Sequence, residues 1–307
     1  MISGFSHSKV LAGGVSVFVA FFLAGLKLSF GFSLGSVALL ASGLDSALDF
    51  LSSSVNLYVL YISSRPADSN HRYGHGKAEA LGGLFQSVAI LGSVLWLLYK
   101  TIVSTANRES FLPEATSMII MSVSLIVTGA LVLFQRTVIR KTHSLLIEAD
   151  SLHYLSDLLG NIMILVSFGL AYFTGWTWLD PLAGAFVCAY LAIGCIRIFK
   201  GSLDVLMDRD FSDDYRDVLL QILEKRSAEI LGYHNLRARS AGERKFLEVH
   251  LELPKSYTLE QTHFILEEVM DELKQEFPYT EVLIHPDPVD NEGDRNILLD
   301  KESPQFY

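Results

Sequence analysis

Ile147-Glu148-Ala149-Asp150-Ser151-Leu152-His153-Tyr154-Leu155-Ser156-Asp157 opens a long apolar run and sets His153 and Asp157 four residues apart. On a helix, that spacing puts both side chains on one face. The pattern also occurs 108 positions earlier. Ala41-Ser42-Gly43-Leu44-Asp45-Ser46-Ala47-Leu48-Asp49-Phe50-Leu51 aligns with Ala149 to Leu159, matching at the Ala, both Leu and the final Asp, with Asp45 standing where the later copy has His153. Two such helices side by side in a bilayer bring three carboxylates and one imidazole together, the number and kind of ligands a tetrahedral divalent ion takes. An ionised Asp at the centre of a membrane helix costs about 2.5–3.5 kcal/mol. Asp45 and Asp49 thus forfeit what roughly ten Leu residues would contribute. Asp45, Asp49, His153 and Asp157 are therefore expected to form a cation site on a route through the membrane. The plainer alternative is a neutral hydrogen-bonded cluster that fastens the two helices together.

The bulk composition agrees with a membrane protein that carries a soluble appendage. The chain has 307 residues, 50% of them hydrophobic, and a mean hydropathy of +0.34. Residues 1–200 hold 12 Lys and Arg against 10 Asp and Glu, and residues 201–307 hold 12 against 24, so the net charge of −10 comes from the second part. An acidic soluble part argues against a nucleic-acid partner and for cations. The two cysteines, Cys188 and Cys195, are seven apart in one apolar segment, too far along a helix for a disulfide within it. The short, mildly polar start from Met1 to Lys9 lacks a small-residue cleavage site and is read as no removable signal.

Six apolar segments are expected to cross the bilayer, near 10–31, 33–62, 79–101, 115–136, 145–172 and 178–200. Phe30-Gly31-Phe32 and Thr174-Gly175-Trp176 read as tight turns, and 63–77 and 136–143 as charged loops. With alternating helices, Arg65, Arg72, Lys77, Arg136, Arg140, Lys141, Arg197 and Lys200 share one side, against Lys100 and Arg108 on the other. The positive-inside tendency then places both termini in the cytoplasm. Lys27, alone inside the first segment, is expected to snorkel to the outer interface.

In the loop Arg65-Pro66-Ala67-Asp68-Ser69-Asn70-His71-Arg72-Tyr73-Gly74-His75-Gly76-Lys77, three ligand types fall within eight residues. Asp68, His71 and His75 either hold a divalent metal weakly, with a fourth position open, or simply face water. Lys77 is a candidate partner for Asp208 at the junction of the two parts. Beyond 201–211 the pattern becomes α-β-β-α-β: a helix capped by Ser212, strands over 232–241 and 245–253 turning at Gly242, a helix with a Thr258/Gln261 capping box, and a strand over 282–287. Leu247, Val249, Leu251 and Leu253 are expected on the core face of the second strand, and Phe246, Glu248, His250 and Glu252 on the other. His234, His250 and His285 with Asp287 can share one face and ligate one or two metals. His263 lies on the stripe Leu259, His263, Leu266, Met270, Leu273, which makes it either a ligand or a core residue. Residues 289–307 read as a disordered polar tail.

Together, Asp45xxxAsp49, the stretch from Pro66 to Glu79, His153xxxAsp157 and Leu283-Ile284-His285-Pro286-Asp287 closely resemble the cation diffusion facilitator family, in particular its bacterial zinc and iron efflux pumps. The likeness runs over about 280 residues. It implies a six-helix all-α transmembrane domain over 1–207, a cytosolic α+β metallochaperone-like domain over 208–290 and a tail over 291–307, paired as a Y-shaped homodimer in a bacterial inner membrane. It assigns transport to Asp45, Asp49, His153 and Asp157, a loop site to Asp68, His71 and His75, and a cytosolic binuclear site to His234, His250, His263, His285 and Asp287. The implied cargo is Zn2+, with Cd2+ or Fe2+ as further candidates, moved against protons by a secondary transporter and not an enzyme. A metallohydrolase is disfavoured, since the chain has no HExxH. Pro286 departs from the polar residue expected there.

Overall fold

Long apolar stretches without proline beyond the first turn become long helices. The computed structural model describes residues 4–107, 115–174, 179–211 and 213–290, and its chain divides into two units, Met1–Leu203 and Asp204–Tyr307. The first unit is all-helical: α1 Gly4–Leu34, α2 Val37–Ser63, α3 Lys77–Asn107, α4 Ala115–Thr142, α5 Leu145–Thr174 and α6 Leu179–Leu206, whose last residues pass into the second unit. Among the described residues, four stretches are long and apolar enough to cross a membrane: His7–Leu34, Lys77–Trp96, Ile119–Thr142 and Gly184–Leu206. Helices α2 and α5 have the length, 27 and 30 residues. They also carry the ionisable residues of the expected cation site.

The bundle is apolar outside and polar inside. Phe18, Phe21, Phe85, Ile126 and Phe186 are exposed, whereas Ser16, Lys27, Asn56, Glu79, Gln135 and Asp150 are buried. That inversion suits a lipid surround, where internal polar groups must find partners in the protein. Lys9 and Glu79 do so as a buried ion pair of 2.9 Å that ties α1 to α3. Apolar packing joins α1, α2, α4 and α5 through Ala12, Leu60, Val138, Leu146 and Ile147. It joins α3 to α6 through Ile90, Val94, Cys188, Leu191 and Cys195, and both cysteines are free thiols.

Two connections differ from the sequence expectation. Helix α1 runs through Gly31 and turns at Gly35, whose φ of 64° suits a residue without Cβ. Gly31 instead serves close packing: a Cβ there would stand 2.9 Å from Leu40 Cδ2 and 3.0 Å from the Leu40 amide nitrogen. The charged stretch after Arg136 is helical to Thr142, because Arg and Lys are good helix formers and Arg140 and Lys141 complement the carbonyl end. The remaining link is His143 and Ser144, and the Ser144 hydroxyl caps α5 by accepting from Ile147 N at 3.2 Å. The expected turn at Gly175-Trp176, the Ser212 cap and residues 291–307 lie outside the described residues.

The second unit contains α7 Asp213–Lys225, β1 Gly232–Ala241, β2 Arg244–Pro254, α8 Leu259–Glu276 and β3 Thr280–Val289. The sheet order is β1-β2-β3. Strand β2 is antiparallel to β1 and parallel to β3. The hairpin turns at Gly242, φ 67°, and the Thr258/Gln261 capping box is present. Leu247, Val249, Leu251 and Leu253 are buried on one face of β2 against α7 and α8. Phe246, on the other face, is also buried, under the Arg239 guanidinium 4.6 Å from its ring centre.

Helix α8 buries Ile265, Val269 and Leu273, so its inward stripe is rotated from the one expected, and Leu259 is exposed. His263 is therefore a surface residue and no part of the core. Arg226 ties α7 to α8, donating to Glu272 at 2.8 Å and also to Glu268. Pro286 and Pro288 are tolerated because β3 is an edge strand.

Candidate metal centres

The first centre lies between α2 and α5. His153 Nε2 is 2.9 Å from Asp49 Oδ1 and 3.9 Å from Asp157 Oδ2. The three ligand atoms all lie within 4.8 Å of one another, close to the spacing of ligands around one tetrahedral ion. Helical periodicity stacks His153 over Asp157, and the crossing with α2 supplies Asp49. Asp45, one turn along α2 from Asp49, is exposed and stands outside the cluster. It is near enough for its charge to act on Asp157.

Behind this cluster is a polar cage that the sequence reading did not assign. Asp150 accepts from Asn56 Nδ2 at 2.9 Å, from Gln135 Nε2 at 2.7 Å and from Ser53 Oγ at 3.5 Å. Ser53 also shares a 2.7 Å hydrogen bond with Tyr154, and Gln135 donates to Ser16 at 3.0 Å. The cage joins α1, α2, α4 and α5. The signal was spacing: Asp150 precedes His153 by three residues and Asp157 by seven, which places it on the same face.

Lys27 does not snorkel. Its side chain is buried, and Nζ donates to Ser46 Oγ at 2.9 Å. Inward orientation wins because α2 offers a hydroxyl and nearby carboxylates.

The loop brings Asp68, His71 and His75 together. Asp68 Oδ2 is 3.3 Å from His75 Nε2 and Oδ1 is 3.5 Å from His71 Nδ1. The loop shapes itself around Asp68, whose Oδ1 accepts from the backbone amides of His71 at 2.7 Å and Asn70 at 2.9 Å. The His71 amide above all, then the Asn70 amide and the two imidazoles, hold the Asp68 carboxyl below the usual carboxylate range. His75 Nδ1 faces the Pro66 carbonyl at 3.2 Å, which turns Nε2 toward Asp68.

In the second unit, strand register does the positioning. His234 pairs with His250, and His250 with His285, so three imidazoles form a row across the sheet. Asp287 stands two residues further along β3. Its Oδ2 is 2.8 Å from His250 Nδ1 and 3.1 Å from His234 Nε2, and its Oδ1 is 3.4 Å from His285 Nε2. Glu252, not assigned from sequence, holds the other nitrogen of His234 at 3.2 Å. Gly232 leaves it room, since a Cβ there would lie 2.8 Å from Glu252 Oε2. His263, exposed on α8, stands outside the group of His234, His250 and Asp287 whose ligand atoms converge. Asp208, considered for Lys77, lies 3.5 Å from Arg239.

Comparison with known proteins accords with these features. Residues 14–207 match the cation efflux transmembrane domain, and residues 211–289 match the cation efflux protein cytoplasmic domain. The cation-efflux pump FieF of Shigella boydii serotype 18 is 37% identical over 267 residues, spanning 86% of this chain and 88% of the relative. The pump of the same name from Escherichia coli O1:K1 gives the same identity and coverage. A solved structure of a candidate zinc transporter, CzrB, in its zinc form shares 30% identity over 26% of this chain and 92% of its own, with a TM-score of 0.25. A helical transmembrane unit, a small α/β unit and relatives along most of the length establish that the chain belongs to the cation diffusion facilitator family of cation efflux proteins.

Proposed function

We propose that this transporter exports Zn2+, and Cd2+ beside it, in exchange for protons, as a homodimer in a bacterial inner membrane with both termini in the cytoplasm. The observation that supports the reading most is the meeting of Asp49, His153 and Asp157 from two helices of the bundle. Nitrogen and oxygen donors at tetrahedral spacing suit Zn2+ and Cd2+ and disfavour Mg2+ and Ca2+, which take six or more oxygens. Asp45, one turn away, is the fourth ligand on this reading, brought in as the helices shift.

Charge supplies the exchange. Three carboxylates crowded into a low dielectric do not all stay ionised without a cation, so the metal-free site takes up protons that arriving metal displaces. A site that opens alternately to the two sides then moves protons one way and metal the other. The loop cluster and the histidine row hold metal without carrying it. Metal bound between two acidic cytosolic domains offsets their repulsion and favours their approach, a population shift passed to the helices.

The test is metal flux in proteoliposomes under an imposed pH gradient, comparing Zn2+, Cd2+, Fe2+ and Mn2+ for the natural chain and Asp49→Ala. Zn2+ flux that needs both Asp49 and the gradient is expected. Flux indifferent to the gradient refutes proton exchange, and flux indifferent to Asp49 refutes the site. Preference for Fe2+ or Mn2+ changes the cargo, and metal binding without flux turns the chain into a sensor.

A further inference from the structure

Lys27 is a charged side chain in the interior of a membrane bundle, only 9% exposed. Such placement is expensive unless opposite charge is near. Its hydrogen-bond partner is the hydroxyl of Ser46, itself buried, and a hydroxyl alone does not offset a buried ammonium. Ser46 sits on α2 between Asp45 and Asp49, three residues before the latter. Burial is the largest influence on the ammonium and disfavours it, and the charges of Asp49, Asp157 and Asp45 offset part of that cost.

The backbone places the amine there. Gly43, one turn before Ser46, lies against Leu28, the residue after Lys27. A Cβ on Gly43 would stand 2.7 Å from Leu28 Cδ2 and 3.1 Å from the Leu28 amide nitrogen. Helix α1 is thus pressed onto α2 beside the cation site, and the Lys27 stem is aimed across the contact. Direct ligation is excluded, because an ammonium offers no lone pair.

We infer that Lys27 is a built-in counter-cation of the transport site, a fixed positive charge that weakens metal binding and so hastens release. The inference rests on the reading of Asp49, His153 and Asp157 as the cargo site. The charge count supports it. Around a bound ion Asp45, Asp49 and Asp157, all ionised, carry −3, and Lys27 reduces this to −2, matched to a divalent ion. Without Lys27 the same ion would leave a net negative site and be held more firmly. A purely structural lysine predicts the opposite sign, since its loss would loosen α1 from α2, disorder the ligands and weaken binding.

The experiment measures Zn2+ affinity by titration of the full chain in detergent, with Asp68→Ala and Asp287→Ala silencing the other two centres, and Cd2+ flux in proteoliposomes. Lys27→Gln keeps a donor for Ser46 while removing the charge, Lys27→Arg keeps the charge, and Lys27→Met removes both. Lys27→Gln is expected to tighten Zn2+ roughly tenfold, and to lower both KM and maximal rate for Cd2+. Lys27→Arg should stay near the natural protein. Affinity unchanged or weaker in Lys27→Gln, or equal shifts in Lys27→Gln and Lys27→Arg, overturns the inference. Should Lys27→Met not accumulate, the Gln and Arg pair carries the test alone. Absence of flux in the unsubstituted chain would refute transport while the titration still decides Lys27.

Discussion

Replacing Asp150 tests what holds α1, α2, α4 and α5 together. Asp150 accepts hydrogen bonds of 2.7, 2.9 and 3.5 Å from Gln135, Asn56 and Ser53. In Asp150→Ala, Ser53 keeps Tyr154 and Gln135 keeps Ser16, so Asn56 loses most. Hydrogen bonds between membrane helices average about 0.6 kcal/mol each, and stranding one buried amide donor adds about 1–3 kcal/mol. The sum is about 3–5 kcal/mol, or a fall of about 6–20 °C in melting temperature for a bundle of this size. Asp150→Asn should behave differently. Its new NH2 group faces Gln135, whose Oε1 is a buried acceptor with no hydrogen-bond partner among the described residues. Turning over the Gln135 amide makes that bond, and the loss should stay near about 1 kcal/mol. Thermal unfolding in detergent, followed by light scattering or thiol exposure at the buried Cys188 and Cys195, measures both variants. Equal damage from Ala and Asn, or none from Ala, would refute the claim that the cage fastens α1, α2, α4 and α5.

Other perturbations address the separate centres. On the proposed reading His153→Asp replaces a nitrogen ligand by oxygen and should shift selectivity toward Mn2+ by about tenfold; competitive flux with an unchanged Zn2+ over Mn2+ ratio would remove His153 from the selectivity argument. Arg226→Met cuts the ties from α7 to Glu268 and Glu272, half-exposed pairs together contributing about 1 kcal/mol after solvent screening. Hydrogen exchange in α7 and α8 should then rise with little change in β2, and uniform exchange across the unit would count against a local clip. The Asp68 carboxyl lies below its usual range, so its ordering of the loop is fully present above the unfolded aspartate value and fades as pH falls through the lower folded one. The His71 amide should therefore stay protected from pH 8 to 5 in metal-free protein; loss of protection within that span would contradict the Asx-type turn.

The sequence disclosed what repeats and what is local. Helical spacing paired His153 with Asp157, and proximity in the chain gathered Asp68, His71 and His75. Alternation in β2 placed His250 opposite the core. What it hid depends on packing between elements. Whether Lys27 reaches outward to the interface or inward to Ser46 is decided by the approach of α1 to α2, and Gly31 and Gly43 serve that approach without announcing it. The inward stripe of α8 was misplaced by roughly a quarter turn, because Leu259 and His263 fit a periodic pattern that Ile265, Val269 and Leu273 fit better. Asp150 lay inside the quoted motif and went unassigned, since its partners Ser53, Asn56 and Gln135 come from two other helices.

The three clusters use the same donors on supports of different stiffness, and that difference bears on which of them carries cargo. The histidine row is fixed by consecutive register pairs, His234 with His250 and His250 with His285, and can part only if strands slip. The loop cluster is held by the backbone amides of its own turn. In the bundle, by contrast, Asp49 and Asp45 belong to α2 while His153 and Asp157 belong to α5, and the two helices are tied to each other through Ser53, Asn56 and Asp150 about one turn away from the ligands. Pivoting α2 against α5 about that tie would change the distance between ligands without breaking any helix, as small helix shifts do in packed interfaces. On the proposed reading, cargo must be released as readily as it is bound. Of the three centres, the one between α2 and α5 has ligands mounted on separate helices that can tilt apart at the ligands while each stays folded and the Asp150 tie holds.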